Sequence, residues 1–173
     1  MRGPADAAAV SRFLHELGRL ARDPATVYLA GGATAVLEGW RSTTIDVDIR
    51  IEPDSDDLLR HLPDIKDRLE LNVELASPLD FLPEPPGWRD RSPFIAQEGP
   101  LTIRHLDPVL QALAKLERGF DQDLLDFDAM LERGLVDRPR LLATFEAIEP
   151  YLFRFPAVDP GELRAAVERV GSP

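Results

Sequence analysis

The stretch VYLAGGATAVLEGWRSTTIDVDIRI, residues 27–51, decides how the rest of the chain is read. VYLA (27–30) is short, β-branched and aromatic, as a buried strand is. GGATAVLEGW then reads as a turn opening into a short helix. IDVDIRI (45–51) alternates, with Asp46, Asp48 and Arg50 on one side and Val47, Ile49 and Ile51 on the other, which predicts a strand with one wet face. A strand that runs into Gly31-Gly32 at a helix start lets backbone approach an anion closely, because the first N–H groups and the helix dipole point there. The glycines also serve turn geometry alone. Period-2 geometry sends the Asp46 and Asp48 carboxylates to the same side, ~6–7 Å apart along the strand. Like charges that close repel unless a cation lies between them. Mg2+ takes one or two carboxylates plus substrate phosphates, while the plain alternative is an exposed polar strand face. An anion cradle and a carboxylate pair on adjacent elements are what two-metal phosphoryl or nucleotidyl transfer requires.

Outward from that centre, residues 5–22 place Val10, Phe13, Leu14, Leu17 and Leu20 at helical spacing. SDDLLRHLPDIKDRL (55–69) predicts a helix that Pro63 breaks or kinks. LNVELA (71–76) alternates again, with Asn72, Glu74 and Ala76 opposite Leu71, Val73 and Leu75. Residues 78–93, PLDFLPEPPGWRDRSP, carry no periodicity and predict a stiff loop of the kind that forms lids or partner surfaces. Trp88 within it is either a packing anchor or a stacking surface. LTIRHL (101–106) predicts a fourth strand. The remainder is helical: DPVLQALAKLERG with Asp107 as N-cap, Pro108 in the first turn and Gly119 as C-cap, then DQDLLDFDAMLERG, DRPRLLATFEAIE and PGELRAAVERVG. The fold class is therefore α+β, a small mixed sheet flanked by helices followed by a helical C-terminal half.

The 173 residues suffice for one domain with a real core. Cysteine is absent, which excludes disulfides and thiolate metal sites, and His15, His61 and His105 are too scattered for a zinc cluster. No apolar run is long enough to span a bilayer and the N-terminus does not read as a signal peptide, so a cytoplasmic protein without membrane attachment is expected. The net charge of -11 argues against a protein that grips nucleic acid through phosphate neutralisation alone. Much of that charge lies in PDSDD (53–57) and DQDLLDFD (121–128), and such runs are ordinarily solvated helix starts.

LAGG followed after thirteen residues by DVDI resembles the signature of the DNA polymerase β-type nucleotidyltransferase superfamily. The longer GGATAVLEGWRSTTIDVDI, with Arg41 and Thr43 ahead of the aspartates, is similar to bacterial abortive-infection-type nucleotidyltransferase toxins. So is LDPVLQALAKLERGFDQDLLDFDAML, and the resemblance covers roughly residues 25–133. It implies a nucleotidyltransferase core over 1–106 and a helical part over 107–173 packed on it as one compact unit. It implies that Gly31 and Gly32 cradle the β- and γ-phosphates of an NTP, and that Asp46 and Asp48 hold two Mg2+ ions. A third carboxylate on a neighbouring strand would help to hold the metal and to deprotonate the acceptor hydroxyl; Glu74, on the polar side of LNVELA, is the candidate, with Asp80 in the proline-rich loop as its competitor. Lys115 and Arg118 would reach the triphosphate, with a snorkelling lysine on an amphipathic helix as the alternative. Thr43 would lie among the nucleotide contacts, and Arg41 would hold a phosphate or pair with Asp48. The acceptor would be a small molecule, a protein or a tRNA. The toxin half of a toxin–antitoxin pair, with an antitoxin partner, is a further implication. A nucleotidyltransferase-fold module that binds nucleotide or a partner without turnover is the second reading.

Overall fold

A computed structural model describes residues 2–171. The chain divides into two compact units, Met1–Ser77 with Ser92–His105, and Pro78–Arg91 with Leu106–Pro173. Together they make a mixed α+β fold.

The first unit is built on a five-stranded sheet of order β3-β2-β1-β5-β4. Strand β1 (Ala25–Ala30) is central, because the run VYLA is apolar on both faces and needs cover on both. Helix α2 (Gly31–Glu38) returns the chain so that β2 (Asp46–Glu52) lies antiparallel to β1, with Ala30 opposite Asp48 and Leu29 opposite Ile49. Helix α3 (Asp56–Leu69) then carries the chain to β3 (Asn72–Leu75), parallel to β2, in the register Asp46↔Asn72 and Asp48↔Glu74. On the other side β5 (Leu101–His105) pairs parallel to β1 and antiparallel to the edge strand β4 (Phe94–Glu98).

One sheet face carries Val27, Leu29, Val47, Ile49, Val73, Leu101 and Ile103. They pack with Val10, Phe13, Leu14 and Leu17 of α1 (Ala7–Leu20) and with Leu58, Leu62 and Ile65 of α3. Each such side chain contributes about 1.5–3 kcal/mol when buried. Asp6 caps α1 through Ala9 N, and Ser55 caps α3 through Leu58 N. Of the two outcomes expected at Pro63, a break is excluded: helix α3 runs through it, with the proline on the exposed side, where the carbonyl it leaves unpaired can be hydrated. One expectation is corrected: the sheet has a fifth strand, β4.

The second unit contains the proline-rich stretch and four helices: α4 (Pro108–Arg118), α5 (Asp121–Glu132), α6 (Arg138–Ile148) and α7 (Pro160–Gly171). Helix α4 packs against the other three and is buried along most of its length. Asp107 caps it through Val109 N and is itself fully buried. Arg91 holds the Asp107 carboxylate through Nε (2.9 Å) and Nη2 (2.6 Å) and reaches Pro86 O through Nη1 (2.7 Å). That fork ties the proline-rich stretch to the start of α4. Trp88 is buried in the same stretch, with the Arg89 guanidinium 4.3 Å above its ring, so its surroundings are those of a packing anchor.

Candidate functional site

The strand alternation of β2 is that expected from DVDIRI: Val47, Ile49 and Ile51 are buried, and Asp46, Asp48 and Arg50 are half-buried on the opposite face. Register partners on neighbouring strands project to the same face, with backbones ~4.8 Å apart. Asn72 therefore stands beside Asp46, and Glu74 beside Asp48. Asp46, Asp48 and Glu74 thus share one face, on two adjacent strands. Asp80, the other candidate for the third carboxylate, lies on a 3-10 turn of the second unit (Pro78–Asp80).

The Gly-Gly turn abuts the same face. Gly31 adopts φ +59°, and a Cβ there would stand 2.8 Å from Asp48 Oδ2. A Cβ on Gly32 would come within 1.9 Å of Thr44 Oγ1 and 3.4 Å of an Arg41 guanidinium nitrogen. Both positions therefore require glycine, the first for its backbone and both for what lies against them. Helix α2 has Ala30 as N-cap and so lacks a side-chain cap. It ends at Gly39 in the left-handed region, and the N–H groups of Gly39, Trp40 and Arg41 all turn back to Ala35 O. That tight return brings the Arg41 side chain beside the helix start, where a guanidinium adds to the positive end of the dipole.

Thr44, not Thr43, is the threonine at the turn. Its hydroxyl donates to Asp46 O (2.9 Å), and its backbone pairs with Ala5 in both directions. Thr43 is exposed. Sequence reading also passed over Asn72, whose Nδ2 donates to Asp46 Oδ1 and stands 3.3 Å from Glu74 Oε1. Register further sets Tyr28 between Arg50 and Arg104, one strand period from Asp48 on the wet face. Arg50 bonds Glu52 Oε1 (2.9 Å), and Arg104 donates to Ser92 O (2.8 Å).

The three carboxylates are a hard-oxygen donor set, as Mg2+ takes. Among the described residues no three His, Asp or Glu side chains are already gathered as a metal cluster. Glu74 is exposed on the edge strand β3, with Oε1 3.3 Å from Asn72 Nδ2. The residues therefore fit the ion by donor type and by face.

Behind the turn, on the core face, His105 is buried, with Nδ1 3.1 Å from Thr34 Oγ1 and Nε2 3.1 Å from Glu38 Oε1. Burial pushes its imidazole below the usual 6.5, against the opposing pull of Glu38. The Thr34 hydroxyl donates its proton to Leu29 O (3.2 Å), and the neutral Nε2–H tautomer of His105 donates to Glu38. This trio ties the middle and the C-terminal end of α2 to β5. The signal was present in LTIRHL, where His105 shares the alternation of Leu101 and Ile103.

Lys115 and Arg118 belong to the second unit and are engaged there. Lys115 Nζ is buried, 2.8 Å from Asp126 Oδ2 and 4.0 Å from Asp123 Oδ1. Arg118 forks onto Asp123, at 2.8 Å through Nε. DQDLLDFD therefore differs from a solvated run, since Asp123 and Asp126 turn inward to meet these cations. No helix among the described residues is long and apolar enough to cross a membrane. Neither family models, nor curated proteins, nor solved structures give a match to this chain.

Proposed function

We propose that the protein is a Mg2+-dependent nucleotidyltransferase that moves a nucleoside monophosphate from an NTP to a hydroxyl acceptor. One observation carries the reading: Asp46, Asp48 and Glu74 share a sheet face against which a glycine turn opens helix α2. Asp46, Asp48 and Glu74 would hold the metal, which polarises the α-phosphate and acidifies the nucleophile when bound. Gly31, Gly32 and Arg41 at the start of α2 would hold the β- and γ-phosphates. Glu74, the most exposed carboxylate, would accept the proton of the acceptor hydroxyl. The acceptor oxygen bonds to the α-phosphorus, the bond to the β-phosphate oxygen breaks, and pyrophosphate leaves.

The net charge of -11 favours a small hydroxylated acceptor or a protein over a tRNA. The motif resemblance carried by GGATAVLEGWRSTTIDVDI is what supports a toxin of a toxin–antitoxin pair, which would work in the cytoplasm. A second reading, nucleotide or partner binding without turnover, is favoured by Lys115 and Arg118, whose charges are already met by Asp126 and Asp123. Incubation with α-labelled NTPs, Mg2+ and cell extract tests the choice. Transfer of label that Asp48→Asn abolishes supports the enzyme; metal-dependent nucleotide binding with no label transferred above the Asp48→Asn background favours the second reading.

A further inference from the structure

Asn72 belongs to no role assigned so far, yet it touches two of the three carboxylates. It stands opposite Asp46 across the β2–β3 ladder and two residues before Glu74, on the same face. Its Nδ2 donates to Asp46 Oδ1 and lies 3.3 Å from Glu74 Oε1. Both neighbours are acceptors, so only the NH2 side of the amide satisfies the arrangement.

We propose that Asn72 is a positioning residue that orients the Asp46 carboxylate and draws Glu74 toward it, so that the acidic face is arranged for a divalent cation before one binds. The inference rests on the metal reading of that face. The bond engages Oδ1 of Asp46 and leaves Oδ2 to a metal, the usual place of an outer partner on a ligating carboxylate. In the absence of a cation the amide supplies a donor group that both like-charged neighbours accept. A serine or an apolar residue at 72 would leave the sheet intact, since the ladder between β2 and β3 is backbone, but would release both carboxylates from one another.

Calorimetric titration with Mn2+ alone, beside thermal melts in EDTA and in Mn2+, tests this on three chains: wild type, Asn72→Leu and Asn72→Asp. Asn72→Leu is expected to bind Mn2+ about ten- to a hundredfold more weakly and to melt lower in EDTA. Asn72→Asp puts a further negative charge beside Asp46 and Glu74. It is expected to melt lowest in EDTA and to gain more from Mn2+ than the wild type gains. If Asn72→Leu melts lower but binds Mn2+ as the wild type does, the residue is structural and the inference fails while the metal reading stands. If the wild type binds no Mn2+, the metal reading fails and the inference falls with it. Should Asn72→Leu not fold, a wild-type-sized Mn2+ gain for Asn72→Asp overturns the proposal by itself.

Discussion

Replacing Lys115 with methionine should destabilise the helical unit severely, and the structure says by how much. Lys115 is buried and Asp126 is fully buried, 2.8 Å away. After the change Asp123 keeps Arg118 and the Phe120 amide at 3.3 Å. Asp126 would still accept from the neutral amide of Gln122 at 3.1 Å. Breaking a buried pair on one side typically costs about 3–5 kcal/mol, because the remaining charge is stranded. For a chain of this size each kcal/mol moves Tm by roughly 2–4 °C, so a fall of about 6–20 °C is expected. Lys115→Met with Asp126→Leu removes both charges and should recover most of that loss. Urea unfolding can be followed in each unit by leaving one tryptophan at a time, Trp40 in the first unit (Trp88→Phe) and Trp88 in the second (Trp40→Phe). The Trp88 signal is expected to shift, and the double variant to restore it. A loss under about 1 kcal/mol with a collapse of nucleotide affinity would refute the reasoning, and would make Lys115 a phosphate ligand.

Gly32→Ala should lower Tm by several degrees even without nucleotide, because its Cβ would enter the space of Thr44 Oγ1; an unchanged melt would contradict the geometry of the turn. Stability should also depend on His105. Burial holds its imidazole below 6.5, so as the pH falls below that value the unfolded chain takes up a proton that the folded chain resists. Unfolding free energy is then full above pH 6.5 and declines as the pH falls below it, and urea melts through that decline should show a slope that His105→Gln flattens. Trp88, buried under Arg89, should resist acrylamide quenching and ignore added nucleotide. In a Trp40→Phe chain, where Trp88 alone emits, a fluorescence change on adding NTP would reopen its reading as a stacking surface.

What was legible in the sequence was whatever a local period carries. DVDIRI announced its wet face, GGATAVLEG its turn and helix, and Asp107-Pro108 the start of α4. Strand β4 was illegible because FIAQE, an edge strand exposed at Phe94, shows no alternation between a buried and a wet side. At Pro63 the sequence left a break and a kink open, because its effect depends on which side of α3 faces water. The carboxylates of β2 could be placed on one face by period alone. That Glu74 lies beside Asp48, and that Asn72 bridges Asp46 and Glu74, depends on the parallel register of β2 and β3, which no single strand encodes. The same holds for Thr44 against Gly32, and for Asp123 and Asp126, whose direction is set by how α5 packs on α4.

The central claim is that the face holding Asp46, Asp48 and Glu74, with the glycine turn beside it, is a metal-dependent nucleotide site. Calorimetry with each NTP in Mg2+ and again in EDTA tests it most directly, with Asp48→Asn as the matched variant. The account predicts clear binding of at least one NTP in Mg2+, lost in EDTA and lost in Asp48→Asn. Equal binding with and without the metal, or undiminished Mg2+-dependent binding by Asp48→Asn, would contradict it.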